Sequence, residues 1–149
     1  MRVKSSNNFQ MSFPSRSANE GFARSAVACF AAQMDPTLNE LEDIKTAVSE
    51  AVTNAIVHAY PDSLGIVTLK ARIVGENSLE IVVKDRGRGI PDIEKARQPM
   101  FTTGGEERSG MGFTIMESFM DQLTVKSTLG KGTTVTMRRK IATRLQPKK

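Results

Sequence analysis

The segment from Val48 to Tyr60 constrains the fold most, because it sets acidic and amide side chains into an otherwise apolar stretch of helical periodicity. At about 100° per residue, Glu50, Asn54 and His58 lie one above another on one flank of the helix. A separate apolar stripe must pack on a core, and it comprises Leu41, Ile44, Val48, Ala51 and Ala55. The sequence thus predicts a helix with a packing face and a polar flank.

Strands are predicted before and after this helix in the sequence, where side chains alternate between apolar and polar. An edge strand opens the chain and is closed by Pro14, and two antiparallel hairpins follow later. The alternation covers residues 9–13, 67–73, 79–83, 123–126 and 135–137. Because each strand is apolar on one side, the sheet needs helices on one face and can leave the other to water. The predicted architecture is a two-layer α/β sandwich.

A first helix is predicted to follow Ser17 and to run to about Gln33. Its apolar stripe contains Phe22, Ala26 and Phe30, while Arg24 projects elsewhere. The lone Cys29 excludes an internal disulfide and a Cys-rich zinc site, and we interpret it as a small core residue.

Composition indicates one soluble domain spanning residues 1–149. Hydrophobic residues make up 39% of the chain and charged residues 25%, and no 18-residue apolar run or signal-peptide segment is present. We therefore expect a cytoplasmic protein without membrane contact. Although the net charge is +5, six cationic residues lie within residues 138–149, which we interpret as a basic, frayed tail. Neither a basic face nor direct nucleic-acid binding is predicted.

Two glycine-rich segments are candidate ligand-binding turns. Residues 85–89 read Asp-Arg-Gly-Arg-Gly after a predicted strand, where glycines permit tight turning and close ligand approach. Residues 110–112 read Gly-Met-Gly before a predicted helix, whose exposed N-H groups could bind phosphate. Taken alone, an ordinary turn and a plain loop are the favoured explanations of these segments.

The order of these segments resembles a known superfamily. Residues 50–55, Glu-Ala-Val-Thr-Asn-Ala, followed by His-Ala-Tyr at 58–60, resemble the N box of the ATPases and kinases that include gyrase, Hsp90, MutL and histidine kinases. The chain is most similar to the anti-sigma serine kinases of spore-forming and stress-responding bacteria. That resemblance implies the Bergerat ATP-binding fold, with a mixed, largely antiparallel sheet covered by helices on one face.

The resemblance also implies site residues. Glu50 would be the general base, Asn54 would hold Mg²⁺, Asp85 would accept a hydrogen bond from the adenine amino group, and Arg108 would reach the terminal phosphates. The other implied nucleotide-binding residues are Gly87, Gly89, Thr102, Thr103, Ser109, Gly110, Met111, Gly112 and Thr133. Considered singly, Glu50 would by default be an exposed helix charge. Thr133 could equally be a strand residue facing water. We interpret His58 as structural.

The implied function is that of a homodimer which binds and inhibits sporulation sigma factor F and uses ATP and Mg²⁺ to phosphorylate a serine of an anti-anti-sigma factor. ADP would bind at the same site. Arg24 matches a family position that contacts partners, although an exposed helix arginine is often only solubilising. Two alternatives are a stress-response anti-sigma B kinase and a nucleotide-gated binding module with little catalysis. Gly104-Gly105 departs from the Lys-Pro-like pair expected in the ATP lid.

Overall fold

The computed structural model describes residues 5–97 and 112–142. Its strands are β1 (Ser5–Pro14), β2 (Ile66–Val74), β3 (Ser78–Asp85), β4 (Gln122–Thr128) and β5 (Gly132–Lys140). Its α-helices are α1 (Ala18–Ala31), α2 (Leu38–Val57), α3 (Ile93–Ala96) and α4 (Gly112–Phe119), and a 3-10 turn covers Ala32–Met34. None of the helices in these two described ranges has the length and apolarity that a membrane crossing requires.

The five strands form one sheet in the order β1-β2-β3-β5-β4. All four pairings between described strands are antiparallel. β1 lies at an edge and the two predicted hairpins are β2–β3 and β4–β5, so these predictions are confirmed. Helices α1, α2 and α4 cover one face. The predicted two-layer α/β sandwich is confirmed.

Helix α2 is the central element of the helical layer and packs between α1 and α4. Its first turn is fixed by a capping box, in which the Thr37 hydroxyl accepts from Glu40 N at 3.0 Å and Glu40 Oε1 accepts from Thr37 N at 2.8 Å. Four of the five predicted stripe residues are buried against the sheet, and Leu41 is partly buried. The core face of α2 therefore matches the sequence prediction.

The core face of α1 lies one position further along the chain than predicted. Ala23, Val27 and Ala31 are fully buried and the predicted Phe30 is partly buried against the core, whereas Phe22 is 60% exposed. Small residues face α2 because the two helices approach closely, and Phe22 is turned toward solvent as a result. Cys29 is also exposed, so its interpretation as a core residue is wrong.

The basic segment predicted as a frayed tail begins inside the sheet, because residues 138–140 belong to β5. Arg139 donates to Asp43 Oδ2 at 2.9 Å and to the Phe119 carbonyl at 2.6 Å. Ala142 N donates to Glu40 Oε2 at 2.9 Å. These contacts fasten the end of β5 to the helical layer. Residues 143–149 lie outside the described residues.

On the uncovered face of the sheet, Glu80 lies between two arginines from neighbouring strands. Arg72 Nε donates to Glu80 Oε1 at 2.6 Å and Arg138 Nε donates to Glu80 Oε2 at 2.8 Å, and Glu80 is only 6% exposed. Burial alone would raise the pKa of Glu80, but the hydrogen bonds and charges of both arginines outweigh burial and hold this pKa below its ordinary value.

We expect Glu80→Gln to reduce the acid sensitivity of the fold. A lowered folded-state pKa means that ionised Glu80 stabilises the fold above its unfolded pKa of about 4.3, and this stabilisation is lost as the pH falls through the folded value. Chemical denaturation between neutral pH and about pH 3 measures the effect. The matched control is Glu76→Gln in the exposed β2–β3 turn, and equal acid sensitivity of the two variants would contradict the prediction.

Candidate functional site

A cavity of about 570 Å³ opens between the polar flank of α2 and the adjoining ends of β3 and β5. It lies inside the two-layer sandwich, at the edge where the helical layer and the sheet separate. It is lined by Glu50, Ala51, Asn54, Ala55, His58, Ala59, Val83, Asp85, Arg88, Gly89, Ile90, Pro91, Asp92, Lys95, Ala96, Gly112, Phe113, Leu129, Thr133 and Val135. Its size is that of a pocket for a small molecule or cofactor.

The polar flank of α2 forms one wall of the cavity. Glu50, Asn54 and His58 all line it, each one turn after the last. Val48 and Val52 of the same helix do not line the cavity and are fully buried in the core. The spacing of four residues thus brings a carboxylate, an amide and an imidazole to one opening, as the sequence predicted.

The first residue of α4 packs directly on Asn54. A Cβ atom at Gly112 would lie 3.1 Å from Asn54 Nδ2 and 3.3 Å from Asn54 Oδ1. Glycine therefore lets the N-terminus of α4, whose first N-H groups have no partner within the helix, approach this amide closely. The start of α4 and the Asn54 side chain share one wall of the cavity.

The turn after β3 lies between the residues that follow α2 and the end of β4, in backbone contacts that only glycine allows. A Cβ atom at Gly87 would lie 2.3 Å from the Ala59 carbonyl oxygen, and one at Gly89, where φ is 78°, would lie 2.5 Å from the Thr128 carbonyl oxygen. Arg88 N donates to the Ala59 carbonyl at 3.1 Å. Gly89 lines the cavity and Gly87 does not, so Gly87 shapes the turn.

Asp85 is the buried carboxylate of the cavity, with 7% exposure. Its Oδ1 accepts from Gly87 N at 2.9 Å and from Thr133 N at 3.2 Å. Both bonds use Oδ1, which leaves Oδ2 for a donor inside the cavity. Burial raises the pKa of Asp85, although the two backbone hydrogen bonds act in the opposite direction. A buried acceptor of this kind suits recognition of a ligand amino group.

Thr133 is joined to the turn through Ser127, a residue that the sequence analysis did not identify. Ser127 Oγ lies 2.8 Å from Thr133 Oγ1, accepts from Ile90 N at 2.7 Å and lies 3.0 Å from the Gly132 carbonyl. Ser127 lies on the same side of β4 as the buried Val125. A polar residue on the core side of an alternating strand is the signal that could have found it.

Tyr60, the last residue of the N-box segment, contacts the turn that follows β3. Its hydroxyl accepts from Arg86 N at 2.6 Å and donates to the Ile66 carbonyl at 2.9 Å. The ring packs on Gly65, where a Cβ atom would lie 2.2 Å away. Tyr60 therefore connects the end of α2 with the start of β2 and the end of β3. Its role in positioning was not predicted.

Two cations at the cavity, Arg88 and Lys95, were also missed as site residues. Both are exposed, so each can approach an anionic part of a ligand. Arg88 occupies a variable position within the Asp-x-Gly-x-Gly turn, and Lys95 lies on the short helix α3. Neither position has a spacing that sets it apart from an ordinary surface cation.

The structure brings together Glu50, Asn54, Asp85, Gly89, Gly112 and Thr133 at one cavity. Arg24 lies apart on α1, where it pairs with Glu20 at 3.6 Å. The remaining predicted residues lie outside the described ranges: Thr102, Thr103, Arg108, Ser109, Gly110 and Met111. The Gly104-Gly105 pair also lies outside them.

The donors of the cavity fit a nucleotide and its magnesium ion. Asn54 could supply a hard oxygen ligand from the polar flank of α2, and residues 5–97 and 112–142 contain no cluster of three or more His, Cys, Asp or Glu side chains that could hold a metal by itself. Mg²⁺ keeps several waters and takes further ligands from phosphates, so one or two protein oxygens suffice.

The sheet, its helical layer and the cavity between them define an ATP-binding domain of the histidine kinase type, and residues 13–139 match the family model described as "Histidine kinase-like ATPase domain". The anti-sigma F factor of Thermoanaerobacter sp. (strain X514) is 61% identical over 132 residues, which cover 88% of this chain and 92% of that protein. The anti-sigma F factor of Geobacillus kaustophilus is 56% identical over 138 residues, which cover 91% and 94%. The chain belongs to the anti-sigma F factor family.

Solved structures show the same fold at low identity. The RsbU and RsbW domains of a Mycobacterium tuberculosis protein superpose with a TM-score of 0.67 at 19% identity, covering 91% of this chain and 33% of that one. The mycobacterial sensor histidine kinase MprB superposes with a TM-score of 0.55 at 22% identity, covering 68% and 72%.

Proposed function

We propose that this protein is a cytoplasmic anti-sigma factor that binds and inhibits sporulation sigma factor F. We further propose that it is an ATP-dependent, Mg²⁺-requiring serine kinase, which phosphorylates and inactivates an anti-anti-sigma factor, and that it acts as a homodimer. The observation that carries the kinase proposal is the position of Glu50 and Asn54 on one flank of α2, facing the cavity that Asp85 lines. The names of the relatives support the sigma-factor partner.

Each residue has a role in this mechanism. Asp85 Oδ2 would accept a hydrogen bond from the adenine amino group, and guanine has no amino group at that position. Asn54 Oδ1 would hold Mg²⁺, which would offset negative charge on the phosphates. Arg108 would reach the terminal phosphates, and Thr133 with Ser127 would hold a hydroxyl network beside the base.

Glu50 is the proposed general base. A glutamate with a reference pKa of about 4.3 is ionised at neutral pH and can accept a proton from the substrate serine hydroxyl. The serine oxygen bonds to the γ-phosphorus as the bond to the ADP oxygen breaks, and the proton passes to Glu50. The products are phosphoserine and ADP.

The experiment is phosphoryl transfer from γ-labelled ATP in the presence of Mg²⁺ and a purified anti-anti-sigma factor. We expect label on a serine of that protein, loss of labelling when Mg²⁺ is chelated, and separate binding of sigma factor F in a pull-down. Nucleotide and sigma-factor binding without any labelled serine would instead support the gated binding module. Labelling without sigma factor F binding would overturn the anti-sigma part alone.

A further inference from the structure

The sheet face that no described helix covers carries a cluster of exposed cations, which we call the cationic face. It consists of Lys70 on β2, Lys84 on β3, Arg86 just after β3, and Lys126 on β4, all exposed. Each strand residue alternates with buried neighbours, such as Val83 and Asp85 around Lys84. The cationic face therefore lies on the opposite side of the sheet from the nucleotide cavity.

Strand register places two of the lysines in a single row with hydroxyl groups. Lys84 is paired with Thr68 on one side and Thr134 on the other, and Thr134 is paired with Lys126. Since neighbouring strands lie about 4.8 Å apart, the Lys84 and Lys126 Cα atoms are about 10 Å apart with a threonine between them. The row offers ammonium and hydroxyl donors alternately.

The positive charge of this face is not cancelled locally. Among the residues that the structure describes, Lys70, Lys84, Arg86 and Lys126 take part in none of the ion pairs. Glu80 on β3 is a carboxylate on the same face of the sheet, but Arg72 and Arg138 already occupy both of its oxygens. The sequence predicts no basic face, and this prediction is wrong because strand register brings Lys70, Lys84 and Lys126 to one side of the sheet.

Part of the cationic face is concave. A cavity of about 600 Å³ is lined by Gln10, Tyr60, Gly65, Ile66, Thr68, Lys70, Lys84 and Arg86. Its lining contains no carboxylate. Three cations, an amide and a hydroxyl group thus converge on one surface depression, which is a donor set for an extended anion.

We propose that the cationic face is a docking surface for an acidic segment of a partner protein. Alternating hydroxyl and ammonium donors along a flat row match carboxylates on a peptide, whereas single-stranded nucleic acid also requires aromatic side chains for base stacking. The aromatic residue of this cavity, Tyr60, has its hydroxyl fixed between Arg86 N and the Ile66 carbonyl. Two copies of this face would repel each other, because like charges would meet.

The test measures binding of a short fluorescent peptide of alternating glutamate and serine to the full chain by fluorescence anisotropy. We expect saturable binding that weakens when ionic strength rises from about 0.05 M to about 0.3 M. Lys70→Gln/Lys84→Gln should weaken it about tenfold. The control Lys45→Gln/Lys131→Gln has the same net charge as this variant. Lys45 lies on α2 beside Glu42, and Lys131 lies in the β4–β5 turn. The control should change the affinity for the peptide less than about twofold.

Three results would overturn the proposal. They are no saturable peptide binding by the unaltered chain, equal weakening in the two double variants, and tighter binding of a thymidine oligonucleotide than of the peptide at equal salt. ADP binding and thermal unfolding, measured for every variant, show whether each remains folded. Because the cationic face is separate from the nucleotide cavity, a positive result does not depend on kinase activity.

Discussion

Glu50→Ala is expected to abolish most phosphoryl transfer while leaving ADP affinity within about twofold. A positioned general base contributes on the order of 10²- to 10⁴-fold to the rate, and this is the loss we expect in kcat. The side chain lines the cavity from the flank of α2, and its backbone lies in an unbroken helix. Alanine is compatible with that helix, so the fold should persist.

The matched control for this variant is Glu42→Ala on the same helix. Glu42 is exposed, pairs with Lys45 at 3.3 Å and does not line the cavity. It should retain full phosphoryl transfer. If Glu50→Ala transfers phosphate at the rate of Glu42→Ala, Glu50 is not the base. A parallel loss of ADP binding in Glu50→Ala would indicate a binding role instead.

Asp85→Asn is expected to weaken ATP and ADP binding by about 10- to 100-fold, which corresponds to loss of a hydrogen bond to a charged acceptor. An asparagine can keep one oxygen toward Gly87 N and Thr133 N, but it then presents an amino group to the adenine amino group. Titration calorimetry measures the change. Discrimination between ATP and GTP should fall as well, because the acceptor that distinguishes the two bases is gone.

The affinity of the unaltered chain for ADP should also depend on pH through Asp85. Burial raises the pKa of this carboxyl, so the group takes up a proton, and stops accepting from adenine, at a pH above its ordinary value of about 3.9. Affinity should therefore fall in mild acid, and this fall should be absent in Asp85→Asn. Asp62→Asn, in an exposed segment after α2, is the control and should behave like the unaltered chain.

Helix α2 and its polar flank could be predicted because both follow from spacing along one helix. The interval of four residues fixed Glu50 relative to Asn54, and the core stripe fixed which way both face. The Asp85 turn was predictable as a glycine-rich turn after a strand. That Asp85 and Thr133 belong to one site was implied only by the superfamily resemblance, since periodicity carries no information about which strand lies beside which.

The parts that could not be predicted depend on contacts between distant segments. Ser127 is informative only once β4 lies beside β5 and places its hydroxyl near Thr133. The core face of α1 was misplaced because close approach to α2 selects Ala23 over Phe22, although Phe22 is the more hydrophobic side chain. The cationic face requires strand register, since Lys84 and Lys126 are far apart in the sequence.

The most direct test is a crystal structure of this chain with ADP and Mg²⁺. Our interpretation predicts adenine in the cavity with its amino group within hydrogen-bonding distance of Asp85 Oδ2, and the metal bound through Asn54 Oδ1 beside the start of α4. A nucleotide bound elsewhere, or bound here with Asn54 and Glu50 turned away from its phosphates, would contradict the proposed site and the kinase mechanism based on it.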